Sequence, residues 1–199
     1  MAGETIAKDL GLSRAALRSD LAILIMSGIL DARPRVGYFY TGKNTLGLLK
    51  EELSSVTVED IKSVPIVVGH DKNAYDAVVT MFLEDVGTLC VVEGDEGLLC
   101  GVVSRKDLLK AAISPGTDLH QVPIAMVMTP LSKIVTAEPH ETAAAAAKRL
   151  IDHEIDCLPV VEEVDGNPKR LKLTGRVTKT NFTRLLVELA EGKGVNDHS

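Results

Sequence analysis

The strongest constraint on how this chain folds is that much of it is written twice. Gly101-Val102-Val103-Ser104-Arg105-Lys106-Asp107 recurs as Gly175-Arg176-Val177-Thr178-Lys179-Thr180-Asn181, a Gly-x-Val-[Ser/Thr]-x-x-[Asp/Asn] pattern. Upstream, Val86-Gly87-Thr88-Leu89-Cys90-Val91-Val92-Glu93 matches Ile155-Asp156-Cys157-Leu158-Pro159-Val160-Val161-Glu162 at an offset of 69, which also carries Asn73 and Ala77 onto Thr142 and Ala146. The Gly motifs lie 74 apart, so the second unit holds five extra residues, which the polar stretch Asp165-Gly166-Asn167-Pro168-Lys169-Arg170 accommodates as an enlarged turn. Two homologous units of about sixty residues follow.

In the first unit, residues 64–68 read as a strand and 73–84 as a helix with Ala77, Val78, Met81 and Phe82 inward. Residues 88–92 and 98–103 read as strands around the turn Gly94-Asp95-Glu96-Gly97. In the second, Thr142 caps an alanine-rich helix over 143–152. Each Gly motif stands where a strand hands over to a helix, so Ser104 and Thr178 can cap free backbone N–H groups. Those N–H groups, with the positive end of the helix dipole, can instead receive a phosphate. Arg105 and Lys106, with Lys179 as the counterpart, have two readings: phosphate partners or solvated cations.

Both Gly motifs, the Leu158-Pro159-Val160-Val161 strand and the Met128-Thr129-Pro130 lead-in resemble the cystathionine-β-synthase (CBS) domain pair, or Bateman module, over roughly residues 60–189. The resemblance implies two β-α-β-β-α units packed sheet to sheet, with clefts between them that take adenosine nucleotides. It implies that Asp107 holds a ribose and Ser104 a phosphate, with Asn181 and Thr178 as their counterparts in a second cleft. Asn181 departs from the commoner Asp and brings no charge.

The chain has 199 residues and is 45% hydrophobic, ample for a buried core. No apolar stretch approaches the roughly 20 residues that cross a bilayer, and the N-terminus lacks a signal-peptide layout, so a cytoplasmic protein is expected. Cys90, Cys100 and Cys157 sit in apolar runs without CxxC spacing and read as buried thiols rather than a disulfide or metal site. His140 and His153 lack a ligand spacing, so no metal is expected. The net charge of −6 hides an asymmetry: residues 1–50 hold seven Lys or Arg against four acids, leaving the rest at −9. That points to a polyanion partner for the head alone.

The head reads as helix, turn, helix. Residues 4–10 place Ile6 and Leu10 on one face up to Gly11, and Ser13 caps a second helix carrying Leu17, Leu21 and Leu24. Arg14 and Arg18 lie four apart on another face, where they either enter a major groove or form an ordinary solvated face. Gly28 to Tyr40 then reads as strand, basic turn, strand, a wing with Arg33 and Arg35 positioned to follow a phosphate backbone. In series these pieces resemble a winged helix-turn-helix of the DeoR type without its first helix: either the start truncates the domain or another segment covers the Leu17 and Ile6 surface. Expected DNA contacts are Ser13, Arg14, Arg18, Arg33 and Arg35.

The expected architecture is α+β: a winged helix-turn-helix over 1–43, a connecting helix and linker over 44–62 with Leu46, Leu49 and Leu53 on one side, CBS units over 63–118 and 119–189, and a flexible tail over 190–199. The run from Leu21 through Tyr40, joined to a CBS pair, resembles the CcpN-type catabolite repressors of Gram-positive bacteria. That resemblance implies repression of gluconeogenic genes, with operator DNA, adenine nucleotides (ATP, ADP or AMP), a second copy of the chain and RNA polymerase as partners. No nucleophile–base pair, Walker lysine or metal cluster is legible, so an enzyme is not expected. The alternative is an adenosine-nucleotide sensor whose head contacts a protein and not DNA.

Overall fold

The computed structural model describes residues 1–34, 36–42 and 53–191. Arg35, residues 44–52 of the expected connecting helix and the tail from Gly192 lie outside the described residues. The chain divides into two compact units, Met1–Ser55 and Val56–Ser199.

In the first unit, α1 (Gly3–Asp9) and α2 (Arg14–Met26) precede a hairpin of β1 (Leu30–Arg33) and β2 (Gly37–Tyr40), paired Leu30 to Tyr40 and Arg33 to Gly37. The Ser13 hydroxyl accepts the Ala16 N–H at 3.2 Å, which sets the start of α2. Ala7, Leu17 and Leu21 form the core, and Ile6, Leu30 and Tyr38 pack against it. The wing strands therefore cover Leu17, the surface that sequence reasoning left in need of cover.

The second unit carries both repeats. The first holds β3 (Val67–Gly69), α4 (Ala74–Leu83), the hairpin β4 (Thr88–Glu93) and β5 (Leu98–Ser104), and α5 (Arg105–Ala112). The second holds α7 (Ala143–Asp152), the hairpin β7 (Cys157–Val164) and β8 (Asn167–Thr178), and α8 (Lys179–Ala190). Between them lie α6 (Ile124–Val127) and β6 (Thr129–Pro130), and ahead of both lies α3 (Val58–Ile61). Strand order is β3-β4-β5-β8-β7, with β6 on β5. The duplication survives at residue level, because Val68 pairs in parallel with Val91 and Ala137 pairs in parallel with Val160. Leu89 and Leu158, Val91 and Val160, and Val103 and Val177 are all fully buried.

Two expectations are corrected. Phe82 is 83% exposed, because the inward stripe of α4 runs through Ala74, Ala77 and Met81, and position 82 lies past its edge. The five extra residues lengthen strands β7 and β8, while the turn shrinks to Asp165-Gly166 between paired Val164 and Asn167. Both turn residues have positive φ, +54° and +65°, the two-residue hairpin geometry whose twist matches its strands.

The segments preceding the repeats are exchanged. Val122 and Ile124, read as the start of the second repeat, bond to Ala74 and Lys72 of the first, and Ile124 is buried in the first core. Val56 and Val58, read as linker, bond to Ala143 and Glu141 of the second, and Val58 is buried in the second core. This exchange explains the motif glycines. Pro130 pairs with Gly101, where a Cβ would overlap the Thr129 carbonyl oxygen. Ser63 pairs with Arg176, and a Cβ on Gly175 would stand 2.7 Å from Lys62 Cδ.

Candidate functional site

The exchange leaves a cleft at each Gly motif. The first, about 780 Å³, is lined by Val102, Ser104, Arg105, Lys106 and Asp107, by Thr129, Lys133, Ile134 and Val135, and by residues 153–157 and Pro159 of the second repeat. Ser104 and Asp107 form a reciprocal cap. The Asp107 Oδ2 accepts the Ser104 N–H at 2.9 Å and the Ser104 hydroxyl at 2.6 Å, while the hydroxyl accepts the Asp107 N–H at 3.3 Å. The Ser104 hydroxyl is thus committed to its own helix. The other carboxylate oxygen, Oδ1, has no hydrogen-bond partner among the described residues. The Arg105 Nε donates to the Val86 carbonyl at 3.2 Å, which lays its guanidinium over Gly87.

The second cleft, about 500 Å³, is lined by Ser63, residues 85–88, Arg105, Asp156, Cys157, Arg176, Arg184 and residues 178–181. Here the same motif behaves differently. The Asn181 Oδ1 accepts the Thr178 N–H at 2.9 Å and hydroxyl at 2.7 Å, and Nδ2 donates to the Ile61 carbonyl and the Ser63 hydroxyl, each at 2.7 Å. Every bond the amide can make is made. Asn181 is 7% exposed. Lys179 is likewise engaged, with its ammonium 2.6 Å from Asp156. Asn181, expected from the resemblance to face a ribose here, clamps the segment before the first repeat onto the second, while Thr178 bonds to Asn181.

Lys133, Ile134, Val135 and Ile155 in the first cleft, and Ser63 and Arg176 in the second, were not singled out by sequence reasoning. Lys133, Ile134, Val135 and Ile155 belong to the second repeat and reach the first motif's cleft only through the fold, and Ser63 reaches the second through the exchange; Arg176 alone lies within its own Gly motif, where its charge was the available signal. Burial pushes the Cys157 thiol up to about 11 and the Cys90 thiol up to about 12, with the Arg176 charge pulling both the other way. Both therefore stay protonated at neutral pH.

In the first unit, Arg14 and Arg18 are exposed, but with Leu17 and Leu21 they follow the i, i+3, i+4, i+7 spacing of one side of α2, so they rim the buried stripe and do not form the separate face expected from the sequence. Arg14 reaches back to Glu4 at 2.9 Å, a solvent-exposed pair of little worth that a phosphate can displace. Arg33 sits 5.1 Å from the Phe39 ring centroid, which steadies it on the wing.

Helix-turn-helix head and duplicated clefts define the class: a transcription regulator built from an HTH domain and a CBS pair. The HTH domain family matches residues 1–39, and the CBS domain family matches residues 58–114 and 124–188. The transcriptional repressor CcpN of Bacillus subtilis is 50% identical over 191 residues, covering 96% of this chain and 88% of that protein. The chain belongs to the CcpN family of transcriptional repressors, a non-enzymatic class. Among solved structures, the acetoin utilization protein AcuB of Vibrio cholerae is 26% identical with a TM-score of 0.58, covering 68% of this chain and 93% of its own. CBSX2, solved in complex with AMP, is 27% identical with a TM-score of 0.57, covering 68% and 99%. Among the described residues no helix is long and apolar enough to cross a membrane.

Proposed function

We propose that the chain represses transcription from operator DNA in the cytoplasm under control of an adenine nucleotide (ATP, ADP or AMP) held in the first cleft. The observation that carries this reading is the Asp107 carboxylate, anchored through Oδ2 with Oδ1 left to accept a ribose hydroxyl. Ile134, Val135, Ile155 and Pro159 supply an apolar slot for a purine, and Lys106, Lys133 and Arg105 supply cations for phosphates. The AMP complex of CBSX2 supports the same ligand class. In calorimetry, Asp107→Ala is expected to weaken nucleotide binding by roughly tenfold to a hundredfold, the worth of a charge-assisted hydrogen bond. Unchanged affinity would remove the first cleft from the reading.

The head supplies the DNA contact through Ser13 at the start of α2, the exposed Arg14 and Arg18, Arg33 on the wing, and Arg35, two residues further along the chain. Arg14→Ala with Arg18→Ala is expected to abolish operator gel shifts and leave nucleotide binding intact. The wild-type shift should weaken steeply from low to moderate salt, because neutralised phosphates release counterions. Loss of both activities together would mean misfolding, and a salt-insensitive head would favour a protein partner over DNA.

Ligand control follows if nucleotide favours one packing of the repeats, a coupling worth about 1–3 kcal/mol. The resemblance to catabolite repressors extends the reading to gluconeogenic genes, with operator occupancy acting on RNA polymerase. A second copy of the chain fits the outer helices. Phe82 and Ile151 stand at matching positions of the two repeats, as do Ile113 and Val187, and all four are exposed, a duplicated apolar face suited to twofold association. Sedimentation at a single-chain mass would remove the dimer.

A further inference from the structure

The geometry points to the second cleft as an oxyanion site for a phosphoryl group, and not a second nucleoside site. Two positions separate the clefts. Where the first has Val102 and Asp107, an apolar wall and a carboxylate with a spare oxygen, the second has Arg176 and Asn181. Asn181 has no hydrogen-bonding capacity left for a ribose. Arg176 is the reverse case. Its Nε is buried without a hydrogen-bond partner, and no ion pair engages its guanidinium among the described residues. A buried donor without an acceptor is costly, and a guanidinium fork fits phosphate oxygens two at a time.

The surrounding charge agrees. Arg105, Lys179 and Arg184 line the cleft with Arg176, against Asp85 and Asp156, and Asp156 is already engaged by Lys179. The excess is cationic. Gly87, Thr88 and Arg105 line both clefts, so the phosphoryl group has two sources: a free anion such as pyrophosphate, or the polyphosphate tail of a nucleotide seated in the first cleft. The second source alone rests on the nucleotide reading above.

Titration calorimetry of the full chain with inorganic pyrophosphate, AMP and ATP tests this. Pyrophosphate is expected to give a single-site isotherm. Arg176→Gln should weaken it at least about tenfold, and Arg176→Lys should recover part of the loss, with thermal melts confirming that both variants fold. Pyrophosphate binding alongside both AMP and ATP marks a free anion. Pyrophosphate that competes with ATP but not AMP, with Arg176→Gln weakening ATP as well as pyrophosphate and leaving AMP unchanged, marks the nucleotide tail. Absence of pyrophosphate binding, equal affinity in wild type and Arg176→Gln, or AMP filling two sites per chain would overturn the inference. If AMP fails to bind at all, the nucleotide reading of the first cleft falls, while the pyrophosphate arm still decides the second.

Discussion

Asn181→Ala is expected to destabilise the CBS pair by about 3 kcal/mol, against about 1 kcal/mol for Asp107→Ala at the matching position. The two residues share a motif slot and a capping role, so sequence alone predicts equal effects. The structure breaks the tie. Removing the Asp107 side chain deletes a helix cap and leaves a half-exposed helix start that water can satisfy. Removing Asn181 deletes a cap and also leaves the Ile61 carbonyl and Ser63 hydroxyl without their amide partner. Thermal unfolding of the full chain should show Asn181→Ala losing roughly 10 °C from the CBS transition. Equal losses for the two variants would refute the clamp.

Gly101→Ala should cost about 2–3 kcal/mol, and Gly175→Ala less than about 1 kcal/mol, although both glycines open the same motif. At Gly101 the new methyl meets the backbone carbonyl of Thr129, on a strand held by pairing to β5. Relief requires moving β6, and with it one wall of the first cleft. At Gly175 the obstacle is the Lys62 side-chain stem, which can swing aside at the expense of its 2.6 Å ion pair with Glu59. Chemical denaturation midpoints at constant slope would measure the difference, and nucleotide affinity should fall with Gly101→Ala alone. A larger loss at Gly175 would contradict the backbone-contact argument.

Much of the fold was legible because the duplication carries its own internal check. Leu89 and Leu158, or Val103 and Val177, are apolar at matching positions since each faces an equivalent core, and that equivalence is visible in one dimension. Helix starts were legible because they are local: Ser13, Ser104 and Thr142 accept backbone N–H groups three residues on. Phe82 was misplaced because hydrophobic character reports that a side chain prefers cover, not that this monomer supplies it. The five extra residues were misplaced because turn-forming composition also suits a two-residue hairpin on longer strands.

What the sequence determined by itself is therefore whatever depends on near neighbours and on repetition: the helix-turn-helix, the wing, the two CBS units and the hydroxyl caps at Ser13, Ser104 and Thr142. Tertiary structure alone decided what the clefts can hold. Asp107 and Asn181 fill the same motif slot and differ along the chain only in charge, yet one keeps a free carboxylate oxygen and the other is consumed by Ile61 and Ser63, 120 and 118 residues away. Hydrogen-bonding capacity is finite, and which partner takes it depends on the exchange of segments that no local pattern records.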